Sequence, residues 1–219
     1  NKWLSQPDML VSRVGSGATA FDGKIYVVGG WTDIEEVDGG YNRQVLNSGE
    51  VFDPDYEVII QNSSTSNSYK TKTNPWTPIT PMNQARFGHG FIAYGDFLYV
   101  IGGNIPISDI DMVATDNCER YNIHTNEWES IANLNVARAG GRAIVVNGKL
   151  TIVGGCSEPH GVLDTIEQYD EALNAWVIVG RMATPRSAGG VTTNISKDKI
   201  ITVGGCSSLA CPNDILSTC

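Results

Sequence analysis

The sequence predicts an all-β protein, a β-propeller of four-stranded antiparallel blades, and three observations carry the prediction. The first is a repeat: Trp3, Trp76, Trp128 and Trp176 are each followed ten residues later by Arg13, Arg86, Arg138 and Arg186. Those arginines are followed 16, 16, 16 and 18 residues later by Gly29-Gly30, Gly102-Gly103, Gly154-Gly155 and Gly204-Gly205. The second is an Asn-Gly turn between two β-rich runs, Val145-Val146-Asn147-Gly148-Lys149-Leu150, the strongest short hairpin signal because both turn residues need positive φ. The third is that no stretch shows convincing helical periodicity.

Each unit of about 50 residues then divides into four strands. The first two form the hairpin, repeated as Phe21-Asp22-Gly23-Lys24 and more loosely as Tyr94-Gly95-Asp96-Phe97 and Ser196-Lys197-Asp198-Lys199. The third carries Glu and an aromatic two residues on: Glu50/Phe52, Glu119/Tyr121 and Glu167/Tyr169. The fourth carries Asn-x-Trp, with Asn1, Asn74, Asn126 and Asn174 two residues ahead of the four tryptophans. In the first unit, 17 extra residues fall within about 56–74, a polar tract read as a flexible loop between third and fourth strands, with Val58-Ile59-Ile60 lengthening a strand at its base.

This pattern resembles the kelch repeat, and the resemblance covers essentially the whole chain. It implies a kelch-type propeller, with the Gly-Gly pair at the end of each second strand, where a missing side chain lets a neighbouring backbone approach. It also implies that the tryptophans with Phe52, Tyr121 and Tyr169 pack blade on blade. The units run about 1–10, 11–82, 83–134, 135–182 and 183–219, three full repeats and two partial ones of a six-bladed ring. The phase of the two ends suggests a fragment of a larger propeller.

Composition narrows the function. A net charge of -9 argues against nucleic acid, whose phosphates call for a Lys/Arg excess. No apolar run of about 18 residues is present, so no membrane span is expected, and the first residues do not read as a signal peptide. Five cysteines (118, 156, 206, 211 and 219) without framework spacing suggest reduced thiols and a cytoplasmic or cytoskeletal protein. Asn62-Ser63-Ser64 and Asn194-Ile195-Ser196 match the glycosylation pattern and weakly favour the opposite. His89, His124 and His160 sit at different repeat phases, and no cysteine pair has zinc spacing, so no metal, cofactor or catalytic residue is expected. The Tyr and His ligand set of the galactose-oxidase-like kelch enzymes has no recognisable counterpart.

The candidate site is a protein-binding face. Arg13, Arg86, Arg138 and Arg186 each open a first strand, on the face shared with the loops after the second strands. In kelch proteins resembling cullin ubiquitin-ligase adaptors that face takes the ligand. Two readings of the arginines stay open: they grip carboxylates or carbonyls of a partner around the central channel, or each pairs with its third-strand Glu. The loops at about 31–48, 104–118, 156–166 and 206–219 hold Asp33, Glu35, Glu36, Asp38, Asp109, Asp111, Asp116, Glu158, Asp164 and Asp214 against one base, Arg43. Trp31 and Tyr41 are the apolar candidates for a contact. An acidic rim steers a basic partner; the partner is expected to be a substrate peptide, or alternatively actin as in scruin-like kelch proteins, though actin is itself acidic.

Overall fold

The computed structural model describes residues 2–3, 5–35, 41–56, 58–61, 68–71, 74–108, 111–209 and 215–218. Every regular element among them is a strand. The first blade contains β1 (Gly17–Phe21), β2 (Lys24–Val28), β3 (Trp31–Glu35), β4 (Tyr41–Val45), β5 (Gly49–Phe52), β6 (Val58–Gln61), β7 (Ser68–Thr71) and β8 (Trp76–Ile79). The second contains β9 (Gly90–Tyr94), β10 (Phe97–Ile101), β11 (Asn104–Pro106), β12 (Met112–Ala114), β13 (Cys118–Asn122) and β14 (Glu127–Ile131). The third contains β15 (Arg142–Val146), β16 (Lys149–Val153), β17 (Cys156–Ser157), β18 (Gly161–Val162), β19 (Thr165–Asp170) and β20 (Ala175–Arg181), and the chain goes on to β21 (Gly190–Thr193) and β22 (Ile200–Val203).

Three four-stranded antiparallel sheets result, ordered β1-β2-β5-β8, β9-β10-β13-β14 and β15-β16-β19-β20, followed by the pair β21-β22. The inner strands pack in series, β1 on β9, β9 on β15 and β15 on β21. The turns follow the sequence: Asp22-Gly23 and Asn147-Gly148 take φ of 49° and 73°, and 51° and 69°, the pair of left-handed residues a type I′ hairpin needs. The insertion of the first blade differs from the expected loop, because Val58–Gln61 pairs with Ser68–Thr71 as a β-hairpin. Its β-branched run Val58-Ile59-Ile60 supplies the strand propensity, and residues 62–67 lie outside the described residues.

The seams between blades use the repeated residues. Gly30, Gly103 and Gly155 donate their N–H to the carbonyls of Arg86, Arg138 and Arg186, one blade on, at 2.8–2.9 Å. A Cβ on Gly29 would stand 2.5 Å from the Arg86 carbonyl oxygen, so only glycine permits this approach. Nearer the axis, a belt of backbone bonds runs from blade to blade: Gly88 N–H to Gly15 C=O, Gly140 to Gly88 and Ala188 to Gly140, at 2.7–2.9 Å.

At the outer end each tryptophan reaches back to the preceding blade. Trp76 Nε1 donates to the Pro7 carbonyl, Trp128 to Thr80 and Trp176 to Ala132, at 2.7–3.0 Å. In each case the acceptor lies four residues beyond the previous tryptophan of the series. The Thr80 and Ala132 N–H groups in turn donate to Asn126 and Asn174 Oδ1, which also accept from the Tyr121 and Tyr169 hydroxyls. The aromatic pairs Phe52–Trp76, Tyr121–Trp128 and Tyr169–Trp176 all have ring centroids 5.1 Å apart. Trp3 differs from the other three tryptophans of the series and is fully exposed (103%).

Candidate functional site

The four arginines lie inside the blades. The side chains of Arg13, Arg86 and Arg138 are 0, 0 and 1% exposed, and Arg186 is also buried. Each Nη1 donates to two carbonyls, that of the first glycine of the pair and that of the residue leading into the third strand: Gly29 and Ser48, Gly102 and Asn117, Gly154 and Thr165, Gly204 and Thr218. Each Nη2 bonds a side chain of that same lead-in residue. In three blades Nη2 also pairs with a buried carboxylate, Arg13 with Glu50 at 2.8 Å, Arg86 with Glu119 at 2.6 Å and Arg138 with Glu167.

The glutamates use their other capacity on the incoming chain. Glu50 accepts from the Leu10 and Val11 N–H groups, Glu119 from Asn83 N–H, and Glu167 from Asn135 N–H and its side-chain amide. Burial pulls the Arg86 and Arg138 guanidiniums below the ordinary arginine value, against the opposing pull of Glu119 and Glu167, and both stay cationic because that value is so high. A partner-gripping role for Arg13, Arg86, Arg138 and Arg186 is therefore corrected: the donors of all four bind the blade, and in the first three the third-strand glutamate is among the acceptors.

The exposed, varied surface lies one residue beyond the Gly-Gly pairs. There Trp31, Asn104, Cys156 and Cys206 bridge in antiparallel fashion to Val14, Phe87, Ala139 and Ser187, each the residue after an arginine. This places the loop before the first strand and the loop after the second on one face. From it rise three short hairpins, β3-β4, β11-β12 and β17-β18.

On the first hairpin the Arg43 guanidinium stacks 3.9 Å from the Trp31 ring centroid, so one face of that ring is already occupied. Asp33 is exposed and stands opposite Arg43 in register. The backbones of Glu35 and Tyr41 pair with each other, while their side chains, together with Glu36, Asp38, Asp109 and Asp214, lie outside the described residues. Asp111 is exposed and bonds Ser108 Oγ at 3.0 Å. Asp164 is neutralised by Arg181 at 2.7 Å, and the exposed Glu158 has no ion-pair partner among the described residues.

Between the second and third hairpins lies a cleft of about 220 Å³ lined by Asn104, Met112, Ala114, Cys156, Ser157, Glu158 and Leu209. Its wall combines aliphatic and thioether surface with an amide, a hydroxyl and a carboxylate, a lining suited to one long side chain with a cationic or donor tip. Sequence reasoning singled out Trp31 at the position after Gly-Gly but not Asn104 and Cys156 at the same phase; the repeat spacing was the available signal. Among the described residues no group of acids, histidines and cysteines could hold a metal ion, and no helix is long and apolar enough to cross a membrane.

A buried histidine and a bonded cysteine lie outside the sequence expectations. His89 sits in the seam of the first two blades with both ring nitrogens unpaired, against the space left by Gly17 and Gly29. Burial, with a smaller contribution from the Arg86 charge, pushes its pKa down to about 3. Cys206 is disulfide-bonded, which overturns the expectation of five reduced thiols, while Cys118 and Cys156 are free. An odd total does not reveal that one cysteine is paired.

The repeat architecture and its Arg-Glu and Asn-Trp ties define a propeller built from kelch units. The Kelch motif model matches residues 12–55, 85–135 and 137–183, and the chain belongs to the kelch-repeat family. It is 28% identical over 178 residues to human Kelch-like protein 15, covering 80% of this chain and 28% of that protein. It is 27% identical over 190 residues to human Kelch-like protein 23, covering 86% and 28%. It is 27% identical over 176 residues to human Kelch repeat and BTB domain-containing protein 8, covering 80% and 24%. The chain thus spans about a quarter of the length of these relatives. The solved structure titled "Structure of YjhT" matches with a TM-score of 0.69 at 15% identity, over 93% of this chain and 61% of that one, a likeness of fold.

Proposed function

We propose that this chain is a non-enzymatic recruiting propeller whose hairpin face docks a basic segment of a protein partner, as in kelch-like adaptors of cullin ubiquitin ligases. The observation that carries the reading is the cleft between β11-β12 and β17-β18, where the exposed carboxylate of Glu158 stands beside Met112, Ala114 and Leu209. A lysine or arginine side chain lays its aliphatic stem on those three residues and brings its cation to Glu158. The exposed Asp33 and Asp111 add to the acidic field that steers such a partner. The relatives named for kelch repeats, one of them also for a BTB domain, support the adaptor reading. An actin-bundling role draws less support, because an acidic rim repels an acidic polymer.

Selection of displayed random peptides on the immobilised chain at low salt tests the proposal. Enrichment of Lys or Arg flanked by apolar residues, lost when Glu158 is changed to Lys, is the expected result. Enrichment of acidic peptides, or indifference to Glu158→Lys, contradicts it.

A further inference from the structure

Cys156 and Cys206 hold the same position in neighbouring units, the residue after Gly-Gly. Cys156 is a free, half-buried thiol, whereas Cys206 is disulfide-bonded to a cysteine outside the described residues. Each stands in an antiparallel bridge. Cys156 exchanges both backbone bonds with Ala139, and Cys206 with Ser187, at 2.8–3.0 Å.

Ser187 links the two. Its side chain turns back to the third blade, where its hydroxyl donates to the Cys156 sulfur at 3.4 Å and where a Cβ on Gly140 would stand 2.4 Å from the same oxygen. Side chains directly opposite each other across an antiparallel bridge stand on one face, with Cα atoms about 5.5 Å apart. The Cys206 side chain therefore shares the face from which Ser187 touches Cys156, and the free thiol and the disulfide both adjoin one seryl side chain. Cys156 also lines the cleft of about 220 Å³, whose wall includes Leu209, three residues beyond Cys206. Cys118 makes the contrast. It is 0% exposed, its thiol donates to the Asp116 carbonyl at 3.5 Å, and burial pushes its pKa up to about 12. A thiol held in that way is a poor nucleophile, because the thiolate is the attacking form.

We propose that Cys156 is a site of thiol–disulfide exchange with the Cys206 disulfide. The Cys156 thiolate attacks Cys206 Sγ. A Cys156–Cys206 bond forms as the existing S–S bond breaks, and the former partner leaves as a thiolate that takes up the proton Cys156 gave up. One disulfide and one thiol are present before and after, so no outside oxidant or reductant enters the step. The new bond ties β17, which begins at Cys156, to the segment that carries Leu209, two walls of one cleft.

Disulfide mapping of the intact chain tests the proposal. Trypsin leaves Cys156 on the peptide 150–181, Cys118 on 87–120 and Cys206 on the peptide that begins at Ile200. After incubation at about pH 8.5 and an acid quench, the 150–181 peptide is expected in covalent linkage to the Ile200 peptide, with fragmentation placing the bond at Cys206. The linked pair should form at least tenfold faster than at about pH 6.5, since the thiolate fraction sets the rate. Mixed isotope-labelled and unlabelled chains should give no hybrid pair, and Cys118→Ser should leave the rate unchanged. In Cys156→Ser the linkage within the Ile200 peptide should be the same at both pH values. No linked pair, a bond placed at another cysteine, hybrid pairs, equal linkage of the 87–120 peptide, or a pH-dependent rearrangement that persists in Cys156→Ser would each overturn the proposal.

Discussion

The arginine pockets and the hairpin rim are separated by a Gly-Gly pair, and they divide the work of the molecule. On the inner side, Arg86 and Arg138 are the same residue at the same phase with the same bonds to a carbonyl pair and a glutamate. On the outer side, the position after Gly-Gly is Trp31, Asn104, Cys156 or Cys206, and the hairpins that follow differ in length and charge. A residue repeated in every blade satisfies a need that every blade has, namely to tie its strands to the incoming chain. A partner is asymmetric, so recognition falls to the positions that vary.

Breaking the inner side should produce the largest effect. Glu167→Ala leaves Arg138 as a buried cation without its counter-ion and frees the Asn135 N–H, and should cost about 3–5 kcal/mol in urea unfolding. A cost under about 1 kcal/mol would return the arginines to a functional role.

Acid sharpens the comparison, because the seam around His89 is also inner-side. With its folded pKa near 3 and the unfolded value near 6.5, His89 binds its proton in the unfolded chain first. Stability is complete above about pH 6.5 and falls as pH drops toward 3, by about 2 kcal/mol at pH 5. His89→Leu, similar in volume and unable to titrate, should flatten that part of the stability curve; an unchanged slope would assign it to other groups.

A smaller test lies in the grips between neighbouring blades. The second and third blades grip their predecessor through both an N–H and a carbonyl, the first blade through a carbonyl alone. The gripped residue there is Pro7, which has no N–H to give, and Phe52 stands in place of the tyrosine whose hydroxyl would hold the asparagine. Asn74 instead accepts from the Trp76 N–H at 3.0 Å. Tyr121→Phe should therefore cost about 1 kcal/mol, and Phe52→Tyr should change stability by less than about 0.5 kcal/mol. Equal effects would mean that the hydroxyl acts by packing. The rim should move least: Asp33→Asn with Asp111→Asn should leave stability within about 0.5 kcal/mol while reducing the salt dependence of peptide binding.

Much of this division is legible in the sequence. The Trp-Arg-Gly-Gly spacing locates the blades, the Asp-Gly and Asn-Gly turns locate the inner hairpins, and Glu-x-aromatic and Asn-x-Trp locate the outer strands. The choice between the two readings of the arginines is not legible, because the Arg-to-Glu separation of 37, 33 and 29 residues changes with hairpin length and conceals a constant contact. The buried state of His89 is hidden for a different reason: the same phase holds Ser16, Gly141 and Gly189, so no repeat signal marks it. The rim cleft is assembled from two hairpins and Leu209, and no single stretch of sequence announces it.

The division is tested most directly by melting and peptide binding measured on the same sample of Trp31→Ala with Glu158→Lys. The expected result is a chain whose stability stays within about 1 kcal/mol of the parent and whose affinity for the selected basic peptide falls at least tenfold. A chain that melts far earlier yet binds the peptide normally once folded would contradict it, and would place recognition somewhere other than the hairpin rim.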